Sequence, residues 1–110
     1  MSTVIVFTGV TLPPLPAGVT VVHCADAAEM VRAIHTHPAA VLLRDGLAED
    51  DALLVAAAIH ESGATVIEVN AHSWDGESHS RLTATCKGVI AGFGLAAIPR
   101  ALEALDALTA

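Results

Sequence analysis

The chain has 110 residues, 54% of them apolar, 3% aromatic and 15% charged, with Asp+Glu 12 against Lys+Arg 5. One domain fits that length, and the apolar fraction is ample for a single core, which argues against intrinsic disorder. A net charge of −7 disfavours nucleic acid and anionic membrane surfaces as partners, because both need a basic patch.

No apolar run reaches the ~18–20 residues of a membrane span. The opening Met1-Ser2-Thr3 turns at once into a strand pattern with no basic tract before it. No secretory signal is therefore expected, and the chain is placed in the cytoplasm. Cys24 and Cys86 are too few for a disulfide scaffold and lack metal-type spacing, so they read as two reduced thiols. Tyr is absent, and Asn70 is the single Asn. A mechanism that needs a tyrosyl base or an Asn-lined pocket within one chain is restricted from the outset.

Thr3 to Thr8 (TVIVFT) is β-branched and bounded by Gly9, the pattern of a buried strand. The connection GVTLPPLPAG follows, where Pro13, Pro14 and Pro16 forbid a regular helix and favour extended backbone. One covering helix is therefore expected to be missing, leaving a sheet face bare or covered by another subunit. Val19 to His23 is the second strand. Asp26-Ala-Ala-Glu29 reads as a capping box, Met30, Val31 and Ile34 follow at helical spacing, and Pro38 closes that helix after His37.

Ala40 to Leu43 is the third strand, ended by Asp45-Gly46. Glu49, Asp50 and Asp51 put negative charge on the first turn of the next helix, where the macrodipole favours it. Leu54, Ala58 and Ile59 are expected to line one face of it, and Gly63 to end it. Thr65 to Val69 (TVIEV) and Gly88 to Ala91 (GVIA) are the remaining strands. The last helix runs from Leu95 to Leu108, with Ile98, Leu102, Leu105 and Leu108 on one stripe. Pro99 fits only in its first turn, where no intrahelical N–H is lost. Apolar strands alternating with helices indicate a parallel sheet covered on both faces.

Few motifs carry chemistry. Gly92-Phe93-Gly94-Leu95-Ala96-Ala97 fits G-x-G-x-x-A between a strand and a helix. The dinucleotide fingerprint belongs on the first βα unit with an acidic residue ~20 positions on, so a tight strand–helix turn is the simpler reading, with an anion at that helix N-terminus as the alternative. Asp45 after the third strand invites a phospho-acceptor reading. Phe7-Thr8-Gly9 supplies none of the acidic residues such a site needs for Mg²⁺. His35 and His37 point in different directions on a helix, which suits the C-terminal dipole better than a shared metal. His72, Asp75 and His79 form either a metal or acid–base cluster or simply a polar loop near a cleft, and they lack a third firm ligand at known spacing. Trp74 is expected to pack beneath that loop or at an interface. No cofactor or metal is expected.

The stretch VIEVNAHSWDGESHSRLTATCKGVIAGFGLAAIPRALEAL, from Val66 to Leu105, resembles the C-terminal part of type II 3-dehydroquinate dehydratases. That family shows E-V-H-x-S, then H-S-x-[LI]-[ST], then K-G-V-I-x-G-[FL]-G, then a helix ending A-L-x-x-L. Upstream, HCADAAEMVRAI resembles the family's strand-two exit and second helix, and VLLRDG stands where the family has I-N-P-G or I-N-A-A. The resemblance runs from Val19 to Leu108 and is strongest from Thr83 to Gly94. It implies one dehydroquinase-like domain over residues 1–110, a flavodoxin-like three-layer α/β sandwich with a five-stranded parallel sheet. It also implies a trimer-based dodecamer.

The family removes a proton beside a ketone with a Tyr base whose pKa is lowered by Arg, holds the enolate with an Asn-bound water, and protonates the departing hydroxyl with a His. Carried over residue by residue, that machinery is missing. The lid bearing Tyr and Arg corresponds to GVTLPPLPAG, the family's Asn to Arg44, the His of E-V-H to Asn70, and an Arg two before H-S to Glu77. The loop from Asn70 to His79 is also shorter than the family's. Losing Arg and gaining Glu77 turns attraction for a carboxylated substrate into repulsion.

The resulting expectation is a divergent dehydroquinase-like protein that cannot run the ordinary dehydration. It would act as a homo-oligomeric scaffold, trimer or dodecamer, or as a binder of a small carboxylate, beside an active paralogue. The enzyme alternative is a hydro-lyase with a rebuilt site. There His72 and His79 serve as acid–base groups, and Arg44, Asn70, Ser73 and Arg81 hold the substrate. Arg44 follows a parallel strand at its carboxyl end, where open α/β sheets bind ligands. A third alternative is a partner-binding module using Trp74 and the Pro-rich segment.

Overall fold

The computed structural model describes residues 2–44, 47–70, 86–91 and 94–109. Strands β1 (Thr3–Phe7), β2 (Thr20–Cys24), β3 (Ala39–Leu43), β4 (Thr65–Asn70) and β5 (Gly88–Ala91) form one sheet in the order β2-β1-β3-β4-β5. Every pairing is parallel, with Thr3 opposite Thr20, Val4 opposite Val41, Ala39 opposite Thr65 and Ile67 opposite Gly88. This is an α/β fold consistent with the flavodoxin-like strand order. Three α-helices accompany it among the described residues: α1 (Ala27–Thr36), α2 (Glu49–Ser62) and α3 (Ile98–Thr109). None is long and apolar enough to cross a membrane.

Strand β2 begins and ends one residue later than its hydrophobic run suggests. The Thr20 N–H donates to the Ser2 carbonyl at 2.9 Å, and the Thr8 N–H donates to the Cys24 carbonyl at 2.8 Å. Pairing with β1, rather than hydrophobicity alone, sets these ends.

Helix α1 starts as its capping box dictates. The Glu29 N–H donates to Asp26 Oδ1 at 2.9 Å, and Glu29 Oε2 accepts from the Ala25 N–H at 2.8 Å. The reach-back thus lands one residue before the N-cap, still satisfying two backbone donors. At its other end the His37 N–H bonds the Ala33 carbonyl, and His37 itself is extended ahead of Pro38. Helix α2 ends at Gly63, whose φ of 68° lies in the left-handed region that glycine enters without Cβ strain. Its N-cap, Ala48, offers no side-chain hydrogen bond, and the Asp50 and Asp51 carboxylates of the first turn favour the helix dipole.

The sheet separates two cores. On one face Ile5, Ala40, Leu42 and Val66 meet Met30 and Ile34 of α1 and Ala52, Val55, Ala56 and Ile59 of α2. On the other, Val4, Val6, Val41, Leu43, Ile67 and Val69 meet Ile98, Ala101, Leu102 and Leu105 of α3. Two apolar expectations are corrected here. Leu54 is 58% exposed and Leu108 is 55% exposed. In α2 nearly every residue from Ala52 to Ile59 is apolar, so the pattern alone leaves the inward stripe ambiguous. Packing buries Ala52, Val55, Ala56, Ala58 and Ile59, so Ala58 and Ile59 lie inward as the pattern suggests and Leu54 does not. In α3 the stripe through 98, 101, 102 and 105 has run past the sheet before Leu108. A 3₁₀ turn over Gly94–Ala97 precedes α3 and places Pro99 second in the helix, inside the first turn.

The β1–β2 connection contains no helix. Its own side chains cover the face instead. Val10, Leu12 and Leu15 pack partly buried against the α3-side core, together with Val19 and Val21. Leucines three apart on extended, Pro-rich backbone fall on one side of a three-residue period. The segment acts as a strap over that core.

Strand order also separates the cysteines. Cys24 ends β2 at one sheet edge, and Cys86 lies two residues before β5 at the other. Four strand spacings of ~4.8 Å put them far beyond the Cα separation that a disulfide spans. Both thiols are free.

Candidate functional site

In open parallel sheets, ligands bind outside the carboxyl ends of the strands. Two candidate residues come together there. The Arg44 N–H donates to the Val69 carbonyl at 2.9 Å, which places Arg44 beside Asn70 where β3 and β4 finish. The other candidates, His72, Ser73, His79 and Arg81, lie outside the described residues, as do Asp45, Trp74, Asp75, Glu77 and the Gly92-Phe93 pair.

The Arg44 side chain turns inward. Its Nη1 lies 4.0 Å from Glu68 Oε1, and the two side chains are 17% and 2% exposed. Glu68 stands opposite Leu42 in the register, two positions deeper in the sheet than Arg44's own level. The guanidinium therefore reaches back over the strand ends to a carboxylate that the sheet has enclosed. An ionised carboxylate so buried requires a cationic or hydrogen-bonding partner, because the desolvation cost is otherwise several kcal/mol.

Cys86 feels the same pair. Burial foremost, and the Glu68 charge after it, push its thiol up to about 12 against the opposing effect of Arg44. At neutral pH this cysteine is a protonated, unreactive thiol. Burial also raises Cys24, helped by Glu29 and Asp26 and opposed by Arg32. Neither sulfur is a nucleophile.

A recess of 370 Å³ opens at the carboxyl ends of β1 and β2, lined by Phe7, Ala25, Asp26, Ala27 and Asp51. Asp26 is engaged in capping α1. A second recess of 230 Å³ lies at the opposite end of the sheet, lined by Thr3, Thr20, His37, Pro38 and Ala39. There the Thr3 hydroxyl and His37 Nδ1 are 3.5 Å apart. His37 thus packs against β1, while His35 lies exposed in the last turn of α1. Among the described residues no group of three His, Cys, Asp or Glu side chains could hold a metal ion.

Glu68 was overlooked by motif reading, although one signal marked it. It is the only charged residue inside TVIEV, an otherwise apolar strand. A charge in a strand covered on both faces must find a partner. The partner was not visible, because only the adjacency of β3 and β4 brings Arg44 across.

Neither a family model nor a curated protein matches the sequence. Among solved structures, the fold is similar to that of a 3-dehydroquinate dehydratase-like protein from Bifidobacterium longum, with a TM-score of 0.62 at 18% identity. The match covers 99% of this chain and 98% of that one. The likeness is one of fold.

Proposed function

We propose that this protein is a cytoplasmic, single-domain, homo-oligomeric scaffold or small-ligand binder of the type II dehydroquinase kind that does not dehydrate 3-dehydroquinate. The observation that carries the proposal is the pairing of Arg44 with Glu68 at 4.0 Å, in a chain with no tyrosine. Enolate chemistry requires a base of tuned pKa beside the ketone and a cation to hold the carboxylated substrate. Tyrosine, the family's base, is absent, and Arg44, the cation at the strand ends, is drawn onto an internal carboxylate. The strap of residues 10–16, which the sequence resemblance matches to the family's catalytic lid, uses Leu12 and Leu15 for packing.

The test is an assay of 3-dehydroquinate dehydration with purified protein, read by formation of the conjugated enone, alongside native mass spectrometry. The expected result is no turnover and a homo-oligomer whose subunit number is a multiple of three. Turnover that disappears on His72→Ala would instead support a rebuilt hydro-lyase site with His79, Ser73 and Arg81. A monomer would favour partner binding through Trp74.

A further inference from the structure

We propose that the outer edge of β2 is an interface between copies of this chain: two β2 strands pair antiparallel about a two-fold axis through Val22, joining two sheets into one. The proposal rests on the homo-oligomeric reading above and assigns one of its contacts.

Strand β2 is outermost, beside β1. The Thr20 N–H donates to the Ser2 carbonyl and the Cys24 carbonyl accepts from the Thr8 N–H, and the register between those ends is one-to-one. In a ladder, alternate residues turn their backbone groups to the same neighbour, so Thr20, Val22 and Cys24 bond β1. Val21 and His23 turn their N–H and C=O groups outward, and no hydrogen bond from the described residues meets them. The usual guards of an edge are missing. TVVHC holds no lysine and no proline, and its pairing shows no bulge. The strap packs its leucines on a face of the sheet and makes no backbone hydrogen bond to this edge.

A second copy answers the outward groups in one register. With Val22 opposite Val22, Val21 of each copy faces His23 of the other, and these two residues exchange N–H···O bonds as an antiparallel pair does. The partly buried Val22 side chains, which rest on the α1-side core, then meet as a close pair without hydrogen bonds. Charge agrees with this arrangement. No residue of β2 carries a formal charge, so two acidic chains meet there without like charges in the seam. The same register sets Thr20 opposite Cys24. Thr20 shares a recess with His37 at the amino end of the strand. Cys24, whose thiol burial raises, also feels Glu29 and Asp26 at the carboxyl end, with Arg32 opposing. Each copy's carboxylates therefore approach the other's histidine end, twice by symmetry. A contact between strands of 5 residues is small alone and gains strength by repetition when two-fold pairs join trimers.

The test combines native mass spectrometry with cross-linking of the full chain. The wild-type protein should be a hexamer or a dodecamer. His23→Pro removes an outward N–H and no bond to β1, and the folded variant should fall to a trimer, whereas His23→Ala should keep the wild-type subunit number. Val22→Cys, oxidised with copper phenanthroline, should form a covalent dimer bridged between the introduced thiols, because such opposed residues lie ~4.5 Å apart at Cα. Val21→Cys, which faces His23, should not bridge to its own copy. A folded His23→Pro protein with the wild-type subunit number overturns the proposal, as does an oligomer in which Val22→Cys fails to bridge. Should His23→Pro not fold, the cross-link decides alone. A trimer without the bridge refutes this interface and leaves the homo-oligomeric reading intact. A dimer bridged through Val22→Cys supports the interface and contradicts the threefold assembly, and a monomer refutes both.

Discussion

Replacing Arg44 by methionine keeps most of the aliphatic stem and removes the guanidinium from above Glu68. At 4.0 Å and an effective dielectric near 20, the lost attraction is about 4 kcal/mol. Glu68, buried to 2% exposure, cannot recover that loss from water. Breaking a buried pair from one side costs about 3–5 kcal/mol, and we expect Arg44→Met to fall in that range. Glu68→Leu alone strands the cation. Because Arg44 lies nearer the rim it can swing outward, so the cost should be smaller, about 1–2 kcal/mol. The double variant buries apolar groups where two charges were and should lie within about 1 kcal/mol of wild type, or above it. Urea unfolding with a constant m-value reads all three stabilities. The cycle should therefore give a coupling of about 4–7 kcal/mol, the two single losses combined with a double variant close to wild type. Losses that simply add, leaving a coupling below about 0.5 kcal/mol, would refute the view that Arg44 is held by Glu68.

The remaining expectations concern single features. Ala48→Ser supplies the cap that α2 lacks and should raise stability by about 0.5–2 kcal/mol in the same unfolding assay. Cys86 should give an alkaline limb to stability: its folded thiol is raised from 9.0 to about 12, so above pH 9 the unfolded chain loses a proton that the folded chain keeps. Stability should fall by about 1.4 kcal/mol per pH unit across that window, and the part of the slope due to Cys86 should vanish in Cys86→Ala. Leu12→Ser with Leu15→Ser should remove the strap from the α3-side core and cost about 2–4 kcal/mol, whereas Leu54→Lys, on an exposed position, should change stability by less than about 0.5 kcal/mol.

Much of the fold follows from local rules that leave a mark in the sequence. The β-branched runs, the Asp26–Glu29 box, Gly63 and the first-turn position of Pro99 each answer to chemistry within a few residues, and each lies where its pattern placed it. Features that depend on tertiary adjacency were not legible in the same way. The inward stripe of α2 was ambiguous because the helix is apolar almost all round, and packing turned Leu54 outward. Strand β2 took its ends from hydrogen bonds to β1. The strap looked like a missing layer because a proline-rich segment forbids a helix. The spacing of its leucines held the information that it covers the sheet itself. At the candidate site, the adjacency of β3 and β4 brings Arg44 beside Asn70, and it also sets the surroundings of the Arg44 guanidinium. Its charge reads as available in the sequence and is taken up by Glu68 in the fold.

The most direct test of the central claim is a single-turnover experiment with the purified protein in large excess over 3-dehydroquinate, followed for hours by the absorbance of the enone product. The account predicts a rate indistinguishable from that of buffer. A rate that scales with protein concentration and is lost in His72→Ala would contradict it.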